Sequence, residues 1–406
     1  MVTVLNPGAS VSVLRAVVGT PVNGNRYWFV IALGDQTAFI HSSVIRPLDG
    51  MQPVSLPSET VVSDQPAITA NRSALPAAQN MLAYIYSLPD RPDNKVISGQ
   101  FGAYGEGTSR QTAEEQLQAV YDQAQLWPAL TGMDYAQWDM TRQHNFAEPN
   151  AYLIEQWRAG SLVNVSWHAP NPWTGGSSTD WENPDTSDPY DARDVIELVT
   201  PGTPVHDHWM AMLDDIANGL QQLRDAGVIV IWRPFHEMNG GWAWWGRQKP
   251  ESYVALWRQM FDYFTNERGL NNLLWAYSPN VGYSEWDPGV MEYYPGDQYV
   301  DLVGLDKYMR LDEDPLQLNA YGEYDALVAT GKPLGLFEFG PMPASGAGWD
   351  TVKYDYSKLI RDIRAYYPRI SFFQAWEYVW AMGRHVNLSG LLNDPWVVTR
   401  DELPRW

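Results

Sequence analysis

Two segments of this 406-residue chain place a glutamate where an apolar strand ends or is interrupted. In WRPFHEMNGGWAWWG, residues 232–246, the apolar run VIVIW leads directly into Arg233, Pro234, Phe235, His236 and Glu237. Pro234 cannot donate to a sheet ladder, which places it at the end of a strand and Glu237 just past it. In KPLGLFEFGP, residues 332–341, Glu338 sits between Phe337 and Phe339. A charge inside an apolar strand is costly unless it is paired or used. Two carboxylates facing each other across a cleft are what glycoside hydrolysis requires: one protonates the leaving oxygen, and the other attacks the anomeric carbon or activates water. The competing reading for Glu338 is a plain ion pair with an interior cation such as Arg233.

The intervening sequence supplies elements able to hold the pair. Eight β-rich apolar runs occur at 95–101, 128–135, 162–168, 228–235, 272–279, 300–308, 333–340 and 370–376. Between them lie amphipathic stretches at 112–126, 150–159, 207–226, 251–269, 317–330 and 353–367. Eight strands alternating with helices predict an α/β fold, a (β/α)8 TIM barrel over residues 71–406. Barrels of this kind carry their chemistry at the C-terminal ends of the strands. Those ends hold Phe101 and Tyr104, Asp134 and Tyr135, Trp167 and His168, His236 and Glu237, Tyr277, Asp306 and Tyr308, Glu338, and Trp376.

Residues 1–48 read differently. Short runs of period two are divided by Asn6-Pro7-Gly8, Gly19-Thr20-Pro21, Asn23-Gly24-Asn25 and Gly34-Asp35, the pattern of a small all-β domain. The stretch from Val22 to Pro47 resembles the end of a bacterial SH3-like domain. Such modules often attach to cell wall or to their own enzyme, so contact with the barrel or with cell wall is the expectation here. Residues 49–70, proline-containing and aperiodic, read as a linker.

Composition narrows the function classes. Lys and Arg number 27 against 48 Asp and Glu, so the net charge is 27 − 48 = −21. A field of that sign repels phosphate backbones and anionic lipid surfaces, which argues against nucleic-acid and membrane partners. With no cysteine there is no thiolate nucleophile, disulfide or zinc-thiolate site. The 20 Trp and 23 Tyr suit either core packing or a carbohydrate cleft, where ring faces stack on sugars. His206-Asp207-His208 lacks a third metal ligand at a fitting distance in sequence and reads as helix-start chemistry. The sequon at Asn164 falls inside a predicted buried strand, which a glycan cannot enter.

The segments RPFHEMNGGWAWWG, YYPGDQYVDLVGLDKY (293–308), KPLGLFEFGP and LLNDPWVVTRDEL (391–403) together resemble glycoside hydrolase family 26, which consists mainly of endo-β-1,4-mannanases. The resemblance implies that Glu237 is the general acid/base and Glu338 the nucleophile of a retaining double displacement. It further implies that His236 acts at the bound sugar, that Tyr308 bonds the nucleophile, and that Trp376 is the stacking floor. By the same resemblance His168 lines the donor side and Trp242 the acceptor side. The loop 171–203 offers Trp173 as a further sugar contact. His236 and His168 as core histidines, and Trp376 as simple core, are the alternatives. The expected partner is a mannan-type polysaccharide, without metal or cofactor, in a secreted enzyme. A β-1,3-1,4-glucanase on the same scaffold and a catalytically silent polysaccharide-binding protein are the competing functions.

Overall fold

The computed structural model describes residues 9–22, 25–33, 36–45, 68–104, 110–136, 145–180 and 193–406. The chain divides into two compact units, Met1–Gln65 and Pro66–Trp406. Most of the 49–70 stretch read as a linker lies outside the described residues.

In the first unit, β1 (Ser12–Val22), β2 (Asn25–Leu33) and β3 (Gln36–His41) form an antiparallel sheet in the order β1-β2-β3. Trp28 pairs with His41 across β2 and β3, and their rings meet edge to face at 5.0 Å.

The second unit is a closed parallel barrel. Its staves are β5 (Gly99–Ala103), β6 (Leu130–Asp134), β7 (Leu162–Trp167), β8 (Val230–Pro234), β9 (Leu273–Tyr277), β10 (Leu302–Arg310), β11 (Leu334–Met342) and β12 (Ile370–Ala375). Each pairs with its neighbour in chain order, and β12 closes on β5. The first predicted strand is split in two: β4 (Val96–Ile97) leaves the stave and pairs with β13 (Val397–Val398) near the end of the chain. Both the N–H and the hydroxyl of Ser98 donate to Val398 O, which holds that break open.

The outer helices follow from their spacing. α2 (Arg110–Ala124), α3 (Ala147–Ala159), α5 (His206–Asp225), α6 (Pro250–Asp262) and α8 (Ser357–Tyr366) fall where the apolar period predicts them. The longest, α5, buries Trp209, Met212, Leu213, Ile216, Leu220 and Leu223, a single stripe at intervals of three and four. α7 is confined to Glu323–Val328, shorter than the predicted 317–330. Two short helices, α4 (Ile196–Val199) and α9 (Leu388–Leu392), lie in connecting loops. A helix not predicted from the sequence, α1 (Pro76–Ser87), buries Ala78, Met81, Leu82 and Ile85 among strand residues such as Ile97, Leu130, Leu162 and Phe372. Its signal was present: a proline at the first turn, followed by apolar residues at i, i+3, i+4 and i+7.

Candidate active site

Seven of the eight residues selected from the sequence gather at the C-terminal mouth of the barrel. β8 ends at Pro234, and the chain then takes left-handed conformations at Phe235 (φ 48°) and Glu237 (φ 55°). Positive φ at two non-glycine residues is uncommon and clusters at functional sites. The turn is fixed from outside, since Glu237 N donates to Ser278 O at 2.7 Å just beyond β9. It brings a carboxylate oxygen of Glu237 within 4.8 Å of oxygens of Glu338 and Asp306.

Glu338 is placed by β11. Asp306 and Glu338 are register partners on β10 and β11, so two carboxylates stand side by side in the barrel wall. What makes this tolerable is Arg233, fully buried on β8. Its Nη1 donates to Asp306 Oδ2 at 2.8 Å, its Nη2 to Glu338 Oε1, and its Nε to Ser166 Oγ at 3.1 Å. Ser278 Oγ donates to the other oxygen of Asp306 at 2.7 Å. The ion pair set against a catalytic role in the sequence reading therefore exists together with the facing carboxylate. Paired as it is, Glu338 is held in place and its negative charge is balanced.

Tyr308 lies two residues after Asp306 on β10 and shares its face of the pleat. Its hydroxyl donates to Glu338 Oε2 at 2.5 Å. Burial first, then the charges of Glu338 and Glu237, push this phenol well above its ordinary value, so it stays protonated and remains a donor. Gly340, its register partner, is what lets the ring lie there: a Cβ at 340 would come within 2.5 Å of both the Tyr308 ring and Trp380.

Glu237 is shifted in the same direction as Tyr308. Burial, then the charges of Glu338 and Asp306, hold its proton on well above the usual carboxylate range, opposed by the Trp242 hydrogen bond and by Arg233. Trp242 Nε1 donates to Glu237 Oε2 at 2.5 Å. An indole N–H only donates, so the proton of the neutral acid belongs on Oε1.

On the other side of Glu338, a chain of rings runs from Asp134 to His236. The Nδ1 of His168 donates to Asp134 Oδ2 at 2.6 Å, which leaves Nε2 to accept from His236 Nε2 at 2.9 Å. His236 Nε2 is 3.7 Å from Glu338 Oε1. Burial, then Arg233 and His168, push His236 well below its usual value and keep it neutral. Trp376 stacks on Phe101 with ring centres 4.3 Å apart, and the rings of Tyr104 and His168 lie 5.8 and 6.0 Å from it. The result is an aromatic floor and wall beside the carboxylates.

Trp173 packs against its neighbours in the loop after β7. Its ring meets Trp244 edge to face at 5.9 Å, and its indole N–H donates to Glu197 at 3.2 Å, so both features are engaged in packing the loop. Much of the loop 171–203 around it, residues 181–192, lies outside the described residues. His206 and His208 do not cap α5, whose N-cap is Val205; their Nδ1 atoms bond the carbonyls of Leu198 and Pro172 at 2.7 Å and tie down that loop. Arg384 lies over the ring of Tyr378 at 5.4 Å.

Sequence reasoning gave no catalytic part to Arg233, Asp306, Asp134, Ser166 or Ser278. The available signal was a charged residue inside an apolar strand, as in VIVIWRPF and VDLVGLDKY. Among the described residues, two trios bring possible metal-ligand atoms within 4.8 Å: His168, His236 and Glu338, and Glu237, Asp306 and Glu338. Both share Glu338, whose oxygens already accept from Arg233 and Tyr308, so the guanidinium supplies the positive charge at that point.

A parallel barrel with two close carboxylates at its C-terminal mouth, one neutral and one paired with a cation, defines a glycoside hydrolase. The profile of glycosyl hydrolase family 26 matches residues 70–402, and the chain belongs to that family. It is 36% identical over 353 residues to mannan endo-1,4-beta-mannosidase A and B of Caldalkalibacillus mannanilyticus, covering 83% of this chain and 63% of that protein's length. It is 33% identical over 345 residues to a mannan endo-1,4-beta-mannosidase of Bacillus subtilis, covering 82% of this chain and 88% of the other. A solved Bacillus subtilis mannanase superposes with a TM-score of 0.67 at 30% identity, covering 82% of this chain and 95% of that one.

Proposed function

We propose that this chain is a retaining endo-β-1,4-mannanase acting on mannan, galactomannan or glucomannan. The observation that carries the mechanism is the approach of Glu237 and Glu338 oxygens to within 4.8 Å. That suits the ~5–5.5 Å spacing of retaining enzymes better than the ~6.5–9.5 Å spacing of inverting ones. The relatives' mannan-cleaving activity supports the choice of polymer.

In the first step Glu237 gives its Oε1 proton to the glycosidic oxygen while Glu338 attacks the anomeric carbon and the leaving chain departs. Tyr308 and Arg233, both bonded to its oxygens, hold Glu338 aimed until the bond forms. Esterification consumes the Glu338 charge, which was one cause of Glu237's raised affinity for a proton. Glu237, now ionised, takes a proton from water, and that water displaces the sugar from Glu338. Trp376 underlies the sugar at the cleavage point. His236, held neutral, adds no competing charge there.

The enzyme is placed outside the cell, because its polymeric substrate does not cross a membrane. Residues 1–48 are read as an SH3-like module contacting cell wall or serving as a spacer. Reducing-end release from galactomannan and from mixed-linkage β-glucan, measured side by side, tests the substrate. Preference for galactomannan is expected; preference for glucan would replace the polymer while leaving the two glutamates in their roles.

A further inference from the structure

The acid marks the leaving-group side of the cleft, and the surface beyond it is unusually aromatic. Seven Trp and Tyr side chains are exposed among the described residues, and four of them, Trp242, Tyr283, Trp286 and Tyr321, belong to three loops that meet on this side. Exposed aromatics scattered singly need no explanation. These are connected. Trp242 donates to Glu237, and its ring meets that of Tyr283 at 6.4 Å. Tyr321 donates its hydroxyl hydrogen to Tyr283 O at 3.4 Å. Trp286, three residues after Tyr283, is 85% exposed.

The loops that carry these rings are held firmly. Asp287 accepts from the N–H groups of Tyr283 and Ser284 at 2.7 and 2.9 Å, and its other oxygen accepts from Arg247 Nη2 at 2.7 Å. That last pair ties the Trp242 loop to the Tyr283–Trp286 loop. Glu323, 4% exposed, accepts from Gly282 N at 3.2 Å and Tyr321 N at 2.8 Å, which joins the third loop to the second. A pocket lined by Ser284, Asp287, Tyr321 and Glu323 opens between them. Rings carried on loops tied together in this way and left open to water have a use when a neutral polymer with apolar ring faces is to be stacked on them.

We propose that Tyr283, Trp286 and Tyr321 form a distal binding surface for the leaving portion of the polysaccharide, continuous with Trp242 and extending the cleft past the bond that is cut. This rests on the glycanase reading above and adds the prediction that the enzyme gains from substrate length on the leaving side. The test is kcat/KM on mannotriose through mannohexaose for the wild type, Trp286→Ala, Tyr283→Ala and Trp286→Tyr. The ratio for mannohexaose over mannotriose is expected to fall about tenfold in the two alanine variants, the scale of one lost aromatic contact. Trp286→Tyr, which keeps a ring, is expected to hold that ratio close to wild type. An unaltered ratio in both alanine variants, including equal loss at every length, overturns the surface. If the wild type cleaves mixed-linkage gluco-oligosaccharides instead, the mannan reading fails, and the same ratio taken on that series still decides the surface. Silence on both series overturns both.

Discussion

The indole Nε1 of Trp242 donates to Oε2 of Glu237 at 2.5 Å, so a ring lining the leaving-group side also sets the state of the acid. The bond favours the ionised carboxylate, against burial and the charges of Glu338 and Asp306, which favour the neutral one. In Trp242→Phe that opposing influence is gone and Glu237 holds its proton to higher pH. Because the first step needs a protonated acid, the alkaline limb of kcat/KM should move to higher pH, measured across a pH series on galactomannan. A limb moved to lower pH would show that Trp242 does not act on the acid in this way.

Removal of the acid should separate substrates by leaving group. Glu237→Ala is expected to lose about 10²–10⁴ in kcat/KM on mannan, the usual worth of a general acid. An aryl mannoside whose leaving phenolate needs no proton should lose far less in its first step. Stopped-flow measurement of phenolate release checks this, and equal losses on both substrates would count against the assignment.

Arg233 balances two buried carboxylates at once, through Asp306 at 2.8 Å and through Glu338. Replacing it by Met leaves both without their cation. Breaking a buried pair by removing one partner costs roughly 3–5 kcal/mol, so Arg233→Met should unfold at clearly lower denaturant concentration. Chemical denaturation followed by tryptophan fluorescence reads this directly.

Gly340 tests the support of the nucleophile without touching it. In Gly340→Ala the added carbon meets Tyr308 and Trp380 at 2.5 Å, and the tyrosine must move off Glu338. We expect kcat to fall at least tenfold with KM changed much less, since positioning of the nucleophile matters most in the transition state. Wild-type kcat would show that Tyr308 has room to yield.

The two glutamates were legible because each ends or interrupts an apolar run, which a folded chain tolerates only for a reason. Most staves were legible for a related cause: strands covered on both faces read as continuous apolar segments. Arg233 was visible only as a competing explanation for Glu338, since its partners lie 73 and 105 residues away and only the closed barrel brings them together. The pairing of Val96 and Ile97 with Val397 and Val398 is two residues long and joins nearly opposite ends of the barrel unit, too short to leave a pattern. Trp173 shows a further limit: its ring contact with Trp244, 71 residues away in sequence, could not be read from the loop that carries it. α1 left a readable stripe, yet it precedes the first stave and has no place in simple strand–helix alternation.

The central claim is that Glu338 becomes covalently attached to the sugar. Treating the enzyme with a 2-deoxy-2-fluoro-mannosyl fluoride slows the second step and traps that species, and peptide mass spectrometry locates it. The account predicts a mannosyl adduct on Glu338 within the segment KPLGLFEFGP. An adduct on Glu237 or any other residue, or turnover of the reagent with no adduct formed, would contradict it.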